Sequence, residues 1–467
     1  MKTHLRPTLL LAYPVMLSQL GHVLVGVCDT VMVGHLPGEL PLAAVSLGIS
    51  VTTWLMVLGL GISLGNLPRV AAAHGRQDAL GLGRLLVGAV WLNSLVGVAL
   101  VALSLLLPLA LPHLGQPPAV VALAAPWVRV IGLSLLPMMV FQGFREWAEG
   151  LGLTRQAMYL SIAGNVLNAL LGYALVFGHL GAPALGLMGA AWASLAARAI
   201  MALGMALFVL RHPALRAYRP TRAAEWLQPG GAELRGQLAL GLPIGGQMMC
   251  EVGAFGAAAI LMGWLGVRAQ AAHQVAINVA SVTYMAATGI AAAATIRVGK
   301  LRGAGDLAEA RQAGLAAYWL AFGFMVTMGG LLLALRHVIP PLYGADAAVA
   351  AQAATLLAVA AAFQVSDGLQ VVGLGVLRGL EDVKTPSVVA LLAYWVLALP
   401  LSYALGFVLK LDGVGIWLGL LTGLTAVALV LVLRFLRLSR VGSAPLPQPT
   451  ELLQATEAVA ALRQPVA

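Results

Sequence analysis

Three acidic residues lie inside apolar stretches that are long enough to cross a bilayer: Asp29, Glu251 and Asp367. The whole chain carries only 17 acidic residues, so three of them in such surroundings are informative. A carboxylate at that depth costs about 2.5–3.5 kcal/mol or more, and it therefore usually marks the path of an ion or a substrate. The competing interpretation is an acid near a helix end that reaches the headgroups. It fits Glu251 least, because a long apolar run follows that residue.

Such carboxylates can exchange protons or bind a small cation. Loss of hydration favours the neutral form of a carboxyl group, so a partly dry carboxylate takes up and releases protons near neutral pH. Hard cations such as sodium prefer oxygen ligands, which makes Glu251 and Asp367 candidate sodium ligands. Each has an amide on roughly the same helical face, Gln247 four residues before Glu251 and Gln364 three residues before Asp367. These residues are compatible with either coupling ion, a proton or sodium.

Other polar side chains could support the acids or line a cavity. His22 precedes Asp29 by seven residues, two turns along one face, and could tune it, although a packed neutral histidine is the commoner role. Gln274 and Asn278 share a helical face, where interhelical hydrogen bonding is the alternative role. Tyr173 could offer an aromatic face to a cationic compound or serve in packing.

The composition predicts a polytopic helical membrane protein. The 467 residues are 60% hydrophobic and 9% charged, with a mean hydropathy of +0.92, whereas a soluble domain carries roughly 25% charged residues. Period-two alternation is absent, so helices are favoured over a barrel. The net charge of +10 resides in loops and does not indicate nucleic acid as a partner. The sequence contains no GxxxxGK[ST], HExxH or CxxC motif, and neither an enzyme nor an ATP-driven pump is expected.

Apolar runs between charged or Gly/Pro breaks give about twelve transmembrane helices. Their predicted limits are 8–35, 42–67, 82–112, 118–141, 156–178, 183–210, 236–265, 268–296, 307–336, 348–374, 384–409 and 413–437. Alternate loops concentrate Arg and Lys, which places those loops and both termini in the cytoplasm. We expect the interiors of the spans to hold almost no basic residue.

An internal repeat divides the chain into two halves of six spans. An offset of 229 residues places Pro14 on Pro243, and after a one-residue gap an offset of 228 places Arg69 on Arg297. Six spans in each copy give both halves the same orientation, so two six-helix bundles related by an axis along the membrane normal are predicted. Pro14 and Pro243 interrupt the same helix in each half and are candidate hinges for alternating access.

The repeat also gives predicted domain limits. We expect an N-terminal lobe at residues 1–210, a cytoplasmic interlobe loop at 211–235 and a C-terminal lobe at 236–437. A flexible cytoplasmic tail is expected at 438–467, where prolines follow the last span.

Together these segments resemble the multidrug and toxic compound extrusion (MATE) transporters, in particular their NorM-like bacterial branch. The resemblance rests on AYPVMLSQLGHVLVGVCDTVMVGHL, PIGGQMMCEVGAFGAAAILMGWLG, AAHQVAIN and RGLEDVKTP, and it covers nearly everything but the tail. It implies that Asp29 is the N-terminal-lobe acid with Asn168 near it, and that Glu251 and Asp367 form the C-terminal-lobe acid pair. Gln274 and Asn278 match polar residues of the eighth helix. Where many relatives carry an Asn-Tyr pair, this chain has Gly172-Tyr173.

The resemblance implies a multi-pass transporter of the bacterial cytoplasmic membrane. It would exchange cationic amphipathic organic compounds for sodium ions or protons, without a cofactor, in contact with membrane lipids and as a monomer. The alternative is a lipid-linked saccharide flippase of the same wider superfamily. Flippases of that kind line the cavity with several Arg or Lys, and carboxylates inside the spans argue against it.

Overall fold

The computed structural model describes residues 2–220, 222–344 and 346–440. In these ranges the regular secondary structure is helical, and twelve helices are long and apolar enough to cross a membrane. The prediction of an all-α fold with twelve spans is confirmed. The twelve helices are α1 Thr3–Gly34, α2 Leu40–Gly75, α3 Ala79–Leu114, α4 Pro118–Gly150, α5 Thr154–Phe177, α6 Leu187–Arg211, α7 Gly231–Trp264, α8 Val267–Gly303, α9 Leu307–Leu335, α10 Ala347–Gly379, α11 Lys384–Val408 and α12 Asp412–Leu438. Short helices occupy Pro213–Tyr218, Ala223–Leu227 and Ile339–Leu342.

Aspartates begin three of the long helices. The carboxylate of Asp78 accepts a hydrogen bond from the amide of Gly81 at 2.8 Å. Asp306, its counterpart in the repeat, accepts one from the amide of Glu309 at 2.9 Å. Asp346 caps α10 in the same way. A side-chain oxygen at this position satisfies an amide that has no partner within the helix.

Four helices end clearly later than the sequence predicts, all at the side of the bundle that carries the arginine-rich loops, here called the basic side. They are α2, α4, α8 and α10, which end at Gly75, Gly150, Gly303 and Gly379. Their predicted ends at 67, 141, 296 and 374 were wrong because charged residues were taken to end the helix. The extensions are buried against neighbouring helices, so packing sustains them where a bilayer does not.

Each half of the chain has its own apolar core. The largest cluster of buried apolar side chains runs from Ala254 to Phe435 and takes only Ala12 from the first half. Two further clusters are built from residues of the first half, Val70 to Leu215 and Val33 to Ala191. The fold is two six-helix bundles, α1–α6 and α7–α12. The residue limits of the lobes stay a prediction. Of the flexible tail expected at 438–467, residues 441–467 lie outside the described residues.

The two bundles meet at the basic side along a surface that we call the seam, formed by α1, α2, α7 and α8. A Cβ added to Gly75 would lie 1.9 Å from the carbonyl oxygen of Lys300, and one added to Gly303 would lie 2.0 Å from that of Ala72. Gly75 and Ala72 correspond to Gly303 and Lys300 in the repeat. The same backbone contact is therefore made twice, once on each side of the pseudo-two-fold axis.

The stretch from Gly61 to Gly65 has the GxSxG spacing of a hydrolase nucleophile turn, but it belongs to the seam. A Cβ on Gly61 would lie 2.3 Å from the Cα of Gly245, and one on Gly65 would lie 2.5 Å from the amide nitrogen of Gly241. Both glycines let the backbones of α2 and α7 approach closely, as small residues do between membrane helices.

Two arginines cross the seam in equivalent positions. Nη1 of Arg69 donates to the carbonyl oxygen of Glu233 at 2.7 Å. Nη1 of Arg297 donates to the carbonyl oxygen of His4 at 2.5 Å and to Oγ1 of Thr8 at 2.7 Å. In the repeat, Arg69 corresponds to Arg297 and His4 to Glu233. Each lobe thus holds the first helix of the other through one guanidinium group.

Candidate functional site

Two acids of the second bundle come together inside it. Glu251 projects from α7 and Asp367 from α10, and the two residues are 6% and 3% exposed. They are close enough for their charges to interact. The charges of Glu251 and Asp367 also act on the hydroxyl groups of Tyr284 in α8 and Tyr394 in α11. Because the four residues come from four helices, this acidic site forms only when the bundle is assembled.

Neutral donors surround Glu251. Oε2 accepts a hydrogen bond from Nε2 of Gln247 at 2.7 Å, as the spacing of these two residues suggested. Oε1 lies 3.3 Å from both Nε2 of Gln370 and the hydroxyl of Tyr394. Gln370 and Tyr394 also bond to each other, with the tyrosine hydroxyl 2.8 Å from the amide oxygen. Within the described residues, no hydrogen bond reaches the carboxylate of Asp367.

The amide that precedes Asp367 has another partner. Oε1 of Gln364 accepts a hydrogen bond from Oγ1 of Thr283 at 2.7 Å, and its buried Nε2 has no partner in the described part of the chain. Two residues after Gln364, Ser366 pairs with Thr425 of α12 at 2.8 Å. Gln364 therefore ties α10 to α8 and does not hydrogen-bond to the acid.

Aromatic rings pack close to the acidic site. Phe255 lies 6.1 Å from Phe363 and 6.2 Å from Tyr394, measured between ring centroids. Phe363 meets Trp417 at 5.5 Å, and Nε1 of Trp417 donates to Nδ1 of His273 at 3.2 Å. These rings are largely buried, so they limit the access of water to the acids.

The first bundle holds a smaller polar cluster around Asp29 of α1. Oγ of Ser194 donates to Oδ2 of Asp29 at 3.1 Å and accepts a hydrogen bond from Nδ2 of Asn168 at 2.9 Å. The other carboxylate oxygen, Oδ1, has no hydrogen-bond partner among the described residues. The structure thus places Asn168 near Asp29, with Ser194 of α6 between them.

An arginine accompanies Asp29, contrary to the prediction that the spans hold almost no basic residue. Arg198 lies on α6 one turn beyond Ser194 and interacts electrostatically with Asp29. Its Nη1 donates to Oγ of Ser134 at 2.7 Å. Arg129 inside α4 is a second basic residue within a predicted span. Arg198 did not stand out because a single arginine hardly lowers the mean hydropathy of a 25-residue span. Only assembly shows that this arginine has a carboxylate beside it.

The remaining predicted residues take varied positions. Gln274 and Asn278 bond to each other at 3.0 Å on an exposed face of α8. Tyr173 is 49% exposed and stacks on His179 in the following loop at 4.6 Å. Pro14 and Pro243 lie inside α1 and α7. The side chain of His22 lies outside the described residues.

Sequence reasoning missed Gln370, Tyr394 and Arg378, which complete the acidic site. Nη2 of Arg378 donates to Oε1 of Gln247 at 3.1 Å. One signal was present: Gln370 lies three residues after Asp367 on α10, and Arg378 lies eleven after it, three turns along the same face. No local pattern pointed to Tyr394.

Two pseudo-symmetric six-helix bundles, with a partly buried acid in the first and a buried acid pair in the second, define a polytopic membrane transporter. The MatE family profile matches residues 14–174 and 243–404, one segment in each half. The chain therefore belongs to the MatE family, the MATE transporters.

Two relatives share about a third of their residues with this chain. "Probable multidrug resistance protein NorM" of Rhizobium meliloti (strain 1021) is 35% identical over 452 residues, which are 95% of this chain and 96% of the relative. "Multidrug resistance protein PmpM" of Pseudomonas aeruginosa is 35% identical over 446 residues, 94% of this chain and 92% of the relative. The predicted family is confirmed.

Solved structures share the fold. The eukaryotic MATE transporter AtDTX14 has a TM-score of 0.80 at 21% identity, covering 97% of this chain and 98% of that one. A multidrug resistance MATE family transporter in an outward-facing conformation has a TM-score of 0.85 at 20% identity, covering 93% of this chain and 96% of that one.

Proposed function

We propose that this MATE transporter exports cationic amphipathic organic compounds in exchange for sodium ions or protons. The observation that carries the proposal is the buried acid pair of Glu251 and Asp367, which lacks a fixed basic group in direct contact. Buried carboxylates of this kind attract a cation or a proton. The multidrug resistance names of the relatives support an organic substrate.

Exchange follows from competition for the same charges. A coupling cation or proton that reaches Glu251 and Asp367 neutralises them and weakens their attraction for a cationic substrate. The ion shifts the conformational equilibrium only if it binds the two conformations with different affinity. The acids lie on α7 and α10, and α7 belongs to the seam, so closure of the seam alters the surroundings of the site.

We further propose that the basic side faces the bacterial cytoplasm, with both termini there. Excess Arg and Lys in the loops of one side marks the cytoplasmic side. In that orientation the seam closes the cytoplasmic entrance, and the structure represents an outward-open conformation. The likeness to an outward-facing MATE structure supports this proposal. The transporter acts as a monomer, since each lobe finds its partner surface within the same chain.

The alternative function is a lipid-linked saccharide flippase. Arg198 is a basic group inside a span, as a pyrophosphate-binding cavity would require, and it favours this alternative more than the sequence suggested. However, Arg198 has Asp29 as its electrostatic neighbour, so the local charge is balanced. If the protein were a flippase of this kind, it would not export a cationic dye.

The first experiment is export of a fluorescent cationic dye by purified protein in liposomes, driven separately by a sodium gradient and by a proton gradient. We expect one gradient to drive transport, and Asp367→Asn to abolish it. Arg84→Gln is a suitable control because the side chain of Arg84 is an exposed charge near the start of α3, at the basic side. Full transport by Asp367→Asn would refute the assignment of the acid pair. Dye that moves under neither gradient would favour the flippase.

A further inference from the structure

Arg378 stands at the end of a hydrogen-bonded chain that leads to Glu251. Nη2 of Arg378 donates to Oε1 of Gln247 at 3.1 Å, and Nε2 of Gln247 donates to Oε2 of Glu251 at 2.7 Å. An amide has one oxygen and one NH2 group. With its oxygen held by the guanidinium group, Gln247 can present only its NH2 group to the acid.

The consequence for a cation is unfavourable. A sodium ion between Glu251 and Asp367 would need neutral oxygen atoms to complete its coordination. Gln247 turns N–H groups toward Glu251, and Nε2 of Gln370 lies 3.3 Å from the same carboxylate. The oxygen of Gln370 is engaged by the hydroxyl of Tyr394 at 2.8 Å. The groups around Glu251 therefore present positive ends of dipoles where sodium needs negative ones.

The two acids are consequently different. Two amide donors, Gln247 and Gln370, stabilise the negative charge of Glu251, whereas the described residues offer none to Asp367. Adjacent carboxylates disfavour double ionisation, and donors stabilise the charged form of the acid that they reach. The two carboxylates therefore differ in how well their surroundings stabilise a negative charge.

The other groups that face Asp367 do not change this conclusion. α7 contributes Glu251, and α8 and α11 contribute the tyrosines Tyr284 and Tyr394. α12 contributes the uncharged Thr425 beside Ser366. Tyr318 of α9 meets α10 further along, at Gly373. On α10 itself, Arg378 is directed to Gln247.

We propose that Arg378 is a positioning residue that fixes Gln247 as a donor to Glu251, and that it thereby closes the acid pair to sodium and leaves the proton as the coupling ion. This inference rests on the proposed function and specifies its coupling ion.

The test compares sodium binding and transport in the same purified variants. Radioactive sodium binding to detergent-solubilised protein does not require transport. We expect no saturable binding in the unmodified protein. In Arg378→Met, where the amide oxygen of Gln247 is free to turn, saturable sodium binding should appear, with an affinity about tenfold or more above the upper limit set by the unmodified protein, as changes in the groups that support a ligand typically produce. Arg378→Lys keeps a donor for that oxygen and should behave as the unmodified protein.

A double-mutant cycle separates positioning from a merely structural role. If Arg378 acts through Gln247, the double variant Arg378→Met/Gln247→Leu should show the same pH dependence of proton-driven transport as the single variant Gln247→Leu. Additive effects would overturn the inference. Arg434→Gln is the matched control, since it removes a guanidinium that pairs with Asp382 in the same lobe.

Each remaining outcome is decisive. Saturable sodium binding by the unmodified protein that Glu251→Gln abolishes would overturn the inference while leaving cation-coupled export intact. If the dye moves under neither gradient, the proposed function is refuted. The sodium-binding measurements would still test the role of Arg378, because they do not require transport. If Arg378→Met fails to fold, Arg378→Lys and Gln247→Leu provide the comparison.

Discussion

Replacing the two arginines of the seam should shift the conformational equilibrium of the transporter. Arg69 and Arg297 each donate from one lobe to the first helix of the other, Arg69 to the carbonyl of Glu233 and Arg297 to His4 and Thr8. These bonds are absent once the seam opens. The substitution Arg297→Gln should therefore destabilise the closed seam relative to the open one.

The magnitude follows from the type of bond. A hydrogen bond to a charged group contributes about 1.5–3 kcal/mol. Since 1.4 kcal/mol corresponds to a factor of ten, the loss of one such bond should raise the ratio of open to closed seam by about 10- to 150-fold. Arg69 makes one such bond across the seam and Arg297 makes three, so Arg69→Gln should act more weakly than Arg297→Gln.

The assay is a distance measurement between two spin labels across the seam. Cysteines placed at Arg76 and Ala304, which are exposed and equivalent in the repeat, carry the labels. The two native cysteines, Cys28 and Cys250, are first replaced by serine and alanine. Pulsed electron paramagnetic resonance then reports the fraction of molecules with a longer distance, which should rise in Arg297→Gln.

The control is Arg84→Gln, which removes the same charge from an exposed position on the same side. It should leave the distance distribution unchanged. An identical distribution in the unmodified protein and in the Arg69→Gln/Arg297→Gln double variant would show that the guanidinium groups do not hold the seam. The close backbone contacts would then be its main support.

Three further changes test other parts of the structure. Gly303→Ala should open the seam, because the new Cβ would lie 2.0 Å from the carbonyl oxygen of Ala72; a backbone shift of this kind costs about 1–3 kcal/mol, and the same distance measurement detects it. Arg198→Gln should slow dye export in liposomes, because it leaves Asp29 without its nearest cation. Pro14→Ala should reduce transport at unchanged expression if the helix bends there, as the hinge hypothesis requires.

Each of these changes has its own control. Gly323→Ala suits the first, because a Cβ on Gly323 meets open space on α9; an unaltered seam in Gly303→Ala would contradict the close contact. Arg84→Gln suits the second, and equal export by Arg198→Gln would show that Asp29 does not need the arginine. Pro126→Ala changes a proline inside α4, and normal transport by Pro14→Ala would remove the hinge hypothesis.

Much of the site could be predicted because single residues stood out from their surroundings. Asp29, Glu251 and Asp367 are acids in oily segments, and Gln247 was recognised from its spacing to Glu251. The relation of Gln364 to Asp367 was suggested by the same reasoning, yet Gln364 bonds to Thr283. A shared helical face indicates proximity, but the neighbouring helix decides which partner is nearer.

The sequence by itself determined twelve helices, the two equivalent halves and the three acids. Hydropathy over about 20 residues and a repeat offset are properties of local segments, so they can be read without knowing how the segments pack. The symmetry of the seam is a consequence of that repeat, although the contacts themselves were not foreseen.

Only the tertiary structure decided how the acids differ. Gln370 reaches Glu251 across 119 positions of sequence, Arg378 reaches Gln247 across 131, and Ser194 reaches Asp29 across 165. Such pairs leave no local pattern, because the packing of helices brings them together. Whether a buried carboxylate is stabilised as an anion or left to take up a proton depends on those distant donors, and therefore on the assembled bundle.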